Sequence, residues 1–316
     1  MVTGPRKLIQ LVDALSRAIL GKEEIIKQLV TGLSAGGHIL FEDVPGVGKT
    51  TLVKALAKAT GCVFKRIQCT PDLLPSDISG VSVYNHQSGE WNFQKGPVFS
   101  QILLADEINR TSPKTQSALL EAMQEKQVTV DGITFELDET FLVIATQNPH
   151  EYEGTFPLPE SQLDRFTMRL SLGYPPPDSE IKLLRNTSQN NPLDRVEQVI
   201  DPTELSAIQK EVGQVHVDDS LLGYVTRLSA ATREHDKISL GVSPRGNLHL
   251  VRCARARAYA QNRDYVLPED IQELFFPVYG HRVILNQAVF FEEENAKVIL
   301  DEILARVRVP GNLGER

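Results

Sequence analysis

The sequence predicts an α/β fold, in which a parallel sheet flanked by helices is followed by a smaller, all-helical domain. Short apolar runs alternate with amphipathic helical patterns through the first half of the chain, and this alternation is typical of parallel sheets. Three consecutive prolines at 175–177 interrupt the chain, and the long segments beyond them have helical periodicity. We therefore predict a core domain over residues 1–174, a stiff linker over 175–177 and a helical domain over 178–316.

The composition is that of a globular protein. Hydrophobic residues make up 41% of the 316 residues and charged residues 23%, which excludes a mainly disordered chain. The 41 acidic side chains outnumber the 33 Lys and Arg, so the net charge is −8. This acidic balance argues against a surface built mainly to hold the phosphates of a nucleic acid.

Three cysteines, Cys62, Cys69 and Cys253, are too few and too scattered for a disulfide framework or a metal site. They are typical of buried thiols in a reducing compartment. No run approaches the ~18 uninterrupted apolar residues that suggest a membrane span, and residues 1–13 lack the apolar core of a signal peptide. These observations predict a cytoplasmic protein without a membrane span.

The apolar pattern places the elements of both predicted domains. In the core domain it predicts helices over 8–19, 23–33, 50–59 and 113–124, and strands over 38–41, 63–68, 102–105 and 141–145. In the second domain it predicts helices over 178–184, 202–212, 218–234, 244–262, 268–276 and 292–307. Because 102–105 is apolar throughout, we expect that strand to be covered on both faces of the sheet.

Two segments of the core domain alternate apolar and polar residues on either side of a turn. Residues 81–93 and 127–137 are predicted hairpins, and the second turns at Asp131 and Gly132. A nucleotide-binding sheet needs neither hairpin, so we interpret both as inserts, which either contact another molecule or are inert additions to the core. Acidic residues such as Asp131 and aromatic residues such as Trp91 favour a protein partner over a nucleic acid.

The glycine-rich segment 45–51, of sequence PGVGKTT, follows the first predicted strand and opens a helix. There glycines turn backbone N–H groups toward an anion, and the helix N-terminus adds the positive end of a dipole. Lys49 would reach the β- and γ-phosphates of a nucleotide, and the Thr50 hydroxyl would ligate Mg²⁺. Asp43 stands where the G-x-x-x-x-G-K-[ST] pattern has glycine. The predicted nucleotide-binding residues of this loop are Asp43, Val44, Pro45, Gly46, Val47, Gly48, Lys49, Thr50 and Thr51.

Polar side chains follow three of the predicted strands. After strand 102–105, Asp106 would lie near Mg²⁺ and Glu107 would polarise the attacking water, which indicates hydrolysis and not only binding. After strand 141–145, Asn148 would orient the same water against the γ-phosphate, although an Asn before Pro149 is also a common turn former. Gln68, at the end of strand 63–68, would contact Glu107.

Four runs resemble the MoxR family of AAA+ ATPases and occur in that family's order: EDVPGVGKTTL, ILLADEINRTSPKTQSALLEAMQE, VIATQNPHEYEGTFPLPESQLDRF and SPRG. The resemblance covers nearly the whole chain. It implies an AAA+ P-loop core and a helical lid domain, with the two hairpins as the helix-2 and pre-sensor-1 inserts. It also implies that Asn148 is the sensor-1 residue, Arg165 the arginine finger and Arg245 the sensor-2 residue. Leu20 and Gly21 lie where the family packs adenine.

Basic side chains share one face of the predicted helix 244–262: Arg245, His249 and Arg252. This face would look either toward the phosphates or toward solvent; we favour the phosphates for Arg245 and leave Arg252 open. An arginine finger delivered to a neighbouring subunit's nucleotide accelerates phosphoryl transfer by ~10³–10⁵, so hydrolysis would depend on assembly.

The resemblance implies a Mg²⁺- and ATP-dependent ATPase that forms a homo-oligomeric ring such as a hexamer, with ATP in the cleft between core and lid. MoxR relatives act as chaperone-like factors that mature, activate or load metal into protein complexes, commonly with a von Willebrand factor A protein. The sequence does not name the client. Two alternatives of the same branch stay open, a nucleic-acid motor and the ATPase subunit of a metal chelatase. A scaffold that binds ATP without turnover is disfavoured by the presence of Lys49, Asp106 and Glu107.

Overall fold

The computed structural model of the chain describes residues 4–149, 154–186, 192–286 and 295–311. In these ranges the strands are β1 Ile39–Glu42, β2 Phe64–Gln68, β3 Gly80–Asn85, β4 Glu90–Lys95, β5 Ile102–Asp106, β6 Gln127–Val130, β7 Ile133–Glu136, β8 Leu142–Gln147, β9 Met168–Leu170, β10 Ile238–Leu240 and β11 Ile284–Leu285. The helices are α1 Gly4–Ala18, α2 Glu23–Ser34, α3 Lys49–Thr60, α4 Pro75–Ser79, α5 Pro113–Glu125, α6 Glu160–Leu163, α7 Pro177–Asn186, α8 Pro202–Gln214, α9 Asp219–Glu234, α10 Pro244–Ala260, α11 Pro268–Tyr279 and α12 Ala296–Arg306.

A five-stranded parallel sheet forms the centre of the core domain, in the order β2-β5-β8-β1-β9. The predicted strands are present, and β5 and β8 are buried along nearly their whole length. Strand β9 was not predicted, because three residues with Arg169 at their centre form no apolar run. Since the strands are parallel, their ends define two edges of the sheet. We call them the carboxyl edge, where β1, β5 and β8 end, and the amino edge, where they begin.

Both predicted hairpins are present, as β3–β4 and β6–β7. They pack against each other through aromatic side chains. The Phe93 and Phe135 rings are stacked with their centroids 4.3 Å apart, and Phe99 lies edge-on to both. The two inserts are therefore one packed unit.

The lid domain is helical, as predicted, with one addition and with several helix boundaries that differ from the predicted ones by one to four residues. A short antiparallel pair, β10–β11, joins the segment after α9 to the segment after α11. Pro177 is the first residue of α7, so only Pro175 and Pro176 of the predicted linker precede that helix. In the described residues the last predicted helix begins at Ala296, and residues 292–294 lie outside the described ranges.

One continuous hydrophobic cluster runs from the core domain into the lid. Helix α1 packs against both α3 and α10, and α2 packs against α8 and α10. Leu11, Leu29 and Leu250 are fully buried members of this cluster. Because each Å² of apolar surface removed from water stabilises by roughly 25 cal/mol, this cluster holds the lid against α1 and α2. Across the described ranges, no helix has both the length and the apolar character that a membrane crossing requires.

Candidate nucleotide-binding site

The phosphate loop connects β1 to α3 at the carboxyl edge of the sheet. Gly46 and Gly48 have φ angles of 85° and 96°, a region of backbone conformation that favours glycine. A Cβ atom added to either glycine would meet no atom within 4 Å, so the backbone angle and not crowding requires glycine here. These angles let the chain turn directly into α3, whose N-terminus presents backbone N–H groups.

Lys49 is the first residue of α3, and its side chain folds back over the loop. Its Nζ donates hydrogen bonds to the carbonyl oxygens of Asp43, at 2.9 Å, and Val44, at 3.1 Å. Burial lowers the pKa of Lys49, while the charges of Asp43, Asp106 and Glu107 act in the opposite direction. The ammonium is thus held where several carboxylates and the loop meet.

Asp43 explains why the loop departs from glycine at its first position. Its side chain is buried, and its carboxylate accepts hydrogen bonds from the Ser171 hydroxyl at 3.1 Å and from the backbone N–H groups of Leu172 and Gly173. Asp43 therefore fastens the phosphate loop to the segment that follows β9. It lines the cavity as predicted, but its carboxylate is engaged with the protein.

Two partners hold Asp106, at the end of β5. The Thr146 hydroxyl donates to Oδ1 at 2.7 Å, and the Arg66 guanidinium donates to Oδ2 at 2.7 Å. Thr50 and Asp106 line the same cavity, and their oxygen atoms are the kind that Mg²⁺ prefers. Among the described residues no group of three or more His, Cys, Asp or Glu is placed to hold a metal ion.

Glu107 occupies a left-handed backbone conformation, with a φ angle of 58°. Its N–H donates to the Thr146 hydroxyl at 2.8 Å. Its Oε2 accepts hydrogen bonds from Gln68 Nε2 at 3.1 Å and from Arg110 Nη1 at 3.0 Å. The contact predicted between Gln68 and Glu107 is therefore present.

Sequence reasoning missed Arg66, Arg110 and Thr146. Arg66 precedes Gln68 by two residues, so the alternation of side chains along a strand places both on one face of β2. This alternation could have predicted that Arg66 lies beside Gln68 at the site. Thr146 carried no signal beyond its position at the end of a buried strand.

A cavity of about 320 Å³ at the carboxyl edge brings most of the predicted site together. Its lining includes Asp43, Pro45, Gly46, Gly48, Lys49, Thr50, Thr51, Asp106, Glu107, Thr146, Gln147 and Asn148. Asn148 is buried beside the two acids. All these lining residues belong to the core domain, and binding of ATP in a cleft between core and lid stays a prediction.

Leu20 and Gly21 are not part of that lining. They form the turn between α1 and α2, where Gly21 approaches Pro176 and Ser179 so closely that a Cβ would clash with the Ser179 hydroxyl. The adjacent Lys22 Nζ donates to the Tyr174 carbonyl oxygen at 2.7 Å. A role for this turn in packing adenine stays a prediction.

Arg165 and Arg245 line a second cavity, of about 250 Å³, together with Arg252 and Lys126. Its other lining residues include Gly37, His38 and Thr167, which directly precede β1 and β9 and so lie at the amino edge. The two cavities are therefore separated by the length of β1, about 13 Å for its four residues. Arg245 lines this second cavity and not the cavity of the phosphate loop of its own chain, so its expected role at the phosphates stays a prediction.

The second cavity is strongly cationic. Among the described residues that line it, none is Asp or Glu, and no hydrogen bond or ion pair is found for the guanidinium groups of Arg165, Arg245 or Arg252. Burial, with the charges of Arg282 and Arg252, lowers the pKa of His249 to about 3, so this imidazole is neutral. Arg252, left open by its helical spacing, faces the same cavity as Arg245.

A phosphate loop after the first strand of a parallel sheet, paired acids at the end of a neighbouring strand and a helical lid define an ATPase of the AAA class. The ATPase family associated with various cellular activities (AAA) matches residues 38–168, and the AAA lid domain family matches residues 230–303. Both matches fall on the domains that carry these features.

Proteins that are similar to this chain over nearly its whole length show to which family of AAA ATPases it belongs. The chain is 50% identical to the uncharacterised protein YeaC of Bacillus subtilis, over 95% of this chain and 93% of YeaC. It is 38% identical to the chaperone MoxR1 of Mycobacterium tuberculosis, over 93% of this chain and 80% of that protein. A crystal structure of a protein from Cytophaga hutchinsonii, assigned as an ATPase, is 43% identical with a TM-score of 0.90, over 97% of this chain and 96% of that one. The chain belongs to the MoxR family of AAA+ ATPases.

Proposed function

We propose that this protein is a ring-forming, Mg²⁺- and ATP-dependent chaperone that remodels or activates protein complexes. The observation that carries the proposal is the placement of two complementary sites at opposite edges of one sheet. The carboxyl edge has the phosphate loop and two acids, while the amino edge has a cavity lined by four cations. In the proposed head-to-tail ring, the amino edge of one subunit would meet the carboxyl edge of the next.

In the proposed reaction, the loop N–H groups and Lys49 bind the β- and γ-phosphates of ATP. Thr50 and Asp106 would hold Mg²⁺, which when bound neutralises charge on the phosphates. Glu107 polarises the attacking water and Asn148 orients it against the γ-phosphate. Gln68 and Arg110 position the Glu107 carboxylate through their hydrogen bonds to Oε2.

Arg165 and Arg245 would act on the ATP of a neighbouring subunit. Both are separated from their own phosphate loop by the length of β1, and both face a cavity without a counter-charge among the described residues. Positive charge at a transferring phosphoryl group is worth ~10³–10⁵ in rate. Hydrolysis would then need the assembled ring, for which we propose a hexamer.

The proposed client is a protein complex, engaged through the packed hairpin inserts and with a von Willebrand factor A protein as partner. The Trp91 side chain is 70% exposed at the end of the first hairpin, and Tyr84 lies beside it with ring centroids 5.3 Å apart. Exposed aromatic rings are frequent anchors at protein interfaces. A cytoplasmic location is part of the proposal, supported by three free, buried cysteines.

The Glu107→Gln variant tests whether the site hydrolyses ATP. The amide keeps the size of the carboxylate but cannot polarise water as a base, so we expect ATP to bind with near-normal affinity and turnover to fall by ~10²–10⁴. Phosphate release and binding of a fluorescent ATP analogue measure the two effects. Unchanged turnover would contradict the proposed role of Glu107, and ATP binding without turnover in the unaltered protein would favour a nucleotide-sensing scaffold.

The same variant tests the client class. Glu107→Gln held in ATP is used as bait in native lysate, and Lys49→Ala serves as the control without bound nucleotide. We expect a von Willebrand factor A protein and one protein complex to be enriched only with the first bait. ATPase activity stimulated by single-stranded DNA or RNA, with a steep salt dependence, would instead favour a nucleic-acid motor.

A further inference from the structure

A buried ion pair joins the core to the lid beside the cationic cavity. Arg282 follows α11, and its side chain is only 1% exposed. Its Nε donates to Asp164 Oδ1 at 2.8 Å. A buried guanidinium without a partner is costly, so this pairing fixes both side chains. Neither residue lines the phosphate cavity, and the proposed reaction has no use for them.

The same guanidinium holds the backbone around Arg165. Its Nη2 donates to the carbonyl oxygens of Asp164, at 3.1 Å, and Phe166, and its Nη1 donates to that of Thr167 at 3.3 Å. A planar, rigid group with several donors restrains several acceptors at once. The carbonyls on both sides of Arg165 are therefore fixed by one lid residue.

Ser243 ties the start of α10 to the same carboxylate. Ser243 is the N-cap residue of α10, and a serine there usually accepts a hydrogen bond from the first turn of its own helix. Its hydroxyl makes no such cap and instead donates to Asp164 Oδ2 at 2.9 Å. Arg245 lies two residues further on, in the first turn of α10.

The two oxygens of Asp164 thus bind two lid segments, one through Arg282 and one through Ser243. Like charges in one cavity repel, so Arg165 and Arg245 need an outside restraint to stay together. We propose that Asp164, Ser243 and Arg282 form a positioning unit, which presents Arg165 and Arg245 as one fixed pair to the phosphates of a neighbouring subunit's ATP. This inference rests on the proposed action of both arginines in trans.

The test removes only the Ser243 link, since loss of Asp164 would leave the buried Arg282 guanidinium without its counter-charge, and loss of Arg282 would remove several buried hydrogen bonds. Misplacing a catalytic group by about 1 Å can cost ~10²-fold in rate. We expect Ser243→Ala to lower the ATPase kcat at least ~10-fold, with ATP affinity, melting temperature and ring assembly unchanged. Ser243→Thr keeps the hydroxyl and should restore kcat. Ser206→Ala is the control, because it removes another lid-to-core hydrogen bond, to Glu139, in which Asp164 takes no part.

Rings that contain two kinds of variant subunit test whether the loss of activity in Ser243→Ala arises at the arginines. Arg165→Ala subunits bind ATP but lack the finger, whereas Lys49→Ala subunits lack ATP but carry an intact finger, so mixing the two should restore hydrolysis. The double variant Lys49→Ala/Ser243→Ala should rescue Arg165→Ala at least ~10-fold less well than Lys49→Ala alone. Equal rescue by the single and double variants would overturn the positioning unit. Absence of any rescue by Lys49→Ala in rings shown to be mixed would refute action in trans, and the positioning unit with it.

Discussion

Arg66 and Thr146 hold the Asp106 carboxylate from two sides, so this acid has a defined orientation at the end of β5. Arg66 also donates to Gln68 Oε1 at 2.8 Å, and Gln68 donates to Glu107. The two acids of the cavity are thereby linked through a pair of side chains on one face of β2. Charge-assisted hydrogen bonds of this kind are among the stronger ones in proteins.

Arg66 occupies a carboxylate oxygen of Asp106 and would therefore compete with Mg²⁺ for it. We predict that Arg66→Ala lowers the Mg²⁺ concentration for half-maximal binding of a fluorescent ATP analogue by about 2–5-fold, a modest effect because the guanidinium is partly exposed. Lys65→Ala, the neighbouring residue on the opposite face of β2, is the matched control and should change nothing. A Mg²⁺ requirement that stays the same or rises would contradict this role of Arg66.

Lys49 binds loop carbonyl oxygens through the same Nζ that would bind phosphate. Removing it deletes the one cation of the loop, so Lys49→Ala should weaken ATP binding by about 10-fold or more, measured by titration of the fluorescent analogue. Lys54→Ala, an exposed lysine of the same helix, should bind normally. Unchanged affinity in Lys49→Ala would refute the assignment of the phosphate loop.

The two hairpin inserts behave as one element because their aromatic rings interlock. Phe93 of β4 and Phe135 of β7 are nearly parallel, with an angle of 18° between their planes. Isolated two-stranded hairpins are marginally stable in water, so this contact adds to the stability of each insert. The exposed Trp91 lies on the same unit, which places the proposed client surface on a supported scaffold.

Loss of the ring contact should loosen both hairpins together. A stacked aromatic pair contributes about 0.5–1.5 kcal/mol beyond its buried area, so Phe135→Leu should speed amide exchange in β3–β4 and β6–β7 by about 2–10-fold. Exchange in β5 and β8 should stay unchanged. Ile133→Ala, at an exposed position of the same hairpin, is the control. Faster exchange confined to β6–β7 would show that the inserts are independent.

In the whole molecule, the position of the lid decides which ATP its arginine can reach. The continuous hydrophobic cluster holds α8 and α10 against α1 and α2, which leaves Arg245 at the amino edge beside Arg165. Hydrogen bonds reinforce this docking, including Arg169 Nη2 to the Gly280 carbonyl oxygen at 3.1 Å and His249 with the Thr167 hydroxyl at 3.0 Å. Core and lid of one protomer therefore form one connected body.

Arg245→Ala should consequently behave like a finger variant. We predict that it binds ATP, loses turnover by ~10²-fold or more, and regains turnover when mixed with Lys49→Ala subunits. If Arg245 acted within its own chain, the only subunits able to bind ATP in such mixtures would still lack it, and activity would stay low. Arg255→Ala, on the same helix but with its guanidinium on the Gly213 carbonyl oxygen, is the matched control.

Local patterns in the sequence were sufficient to predict most of the strands and helices of the core domain. Apolar periodicity predicted the strands and long helices, because an element that is buried on one or both faces has apolar residues at regular spacing. The predicted strand ends also indicated that the phosphate loop, Asp106 and Glu107 lie together, since the carboxyl ends of parallel strands meet at one edge of the sheet. Gln68 was placed beside Glu107 on this ground, and the hydrogen bond is present.

Only the tertiary structure decided what Asp43 contacts and which cavity Arg165 and Arg245 share. The role of Asp43 depends on β9 and residues 171–173, which are distant in sequence and carry no apolar run. The pairing of Arg165 with Arg245 depends on where the lid docks, and the helical spacing of 244–262 allowed either direction. The lid is held in place by many buried contacts between helices that are far apart in the chain. No short segment of the sequence contains enough of these contacts to predict where the lid packs.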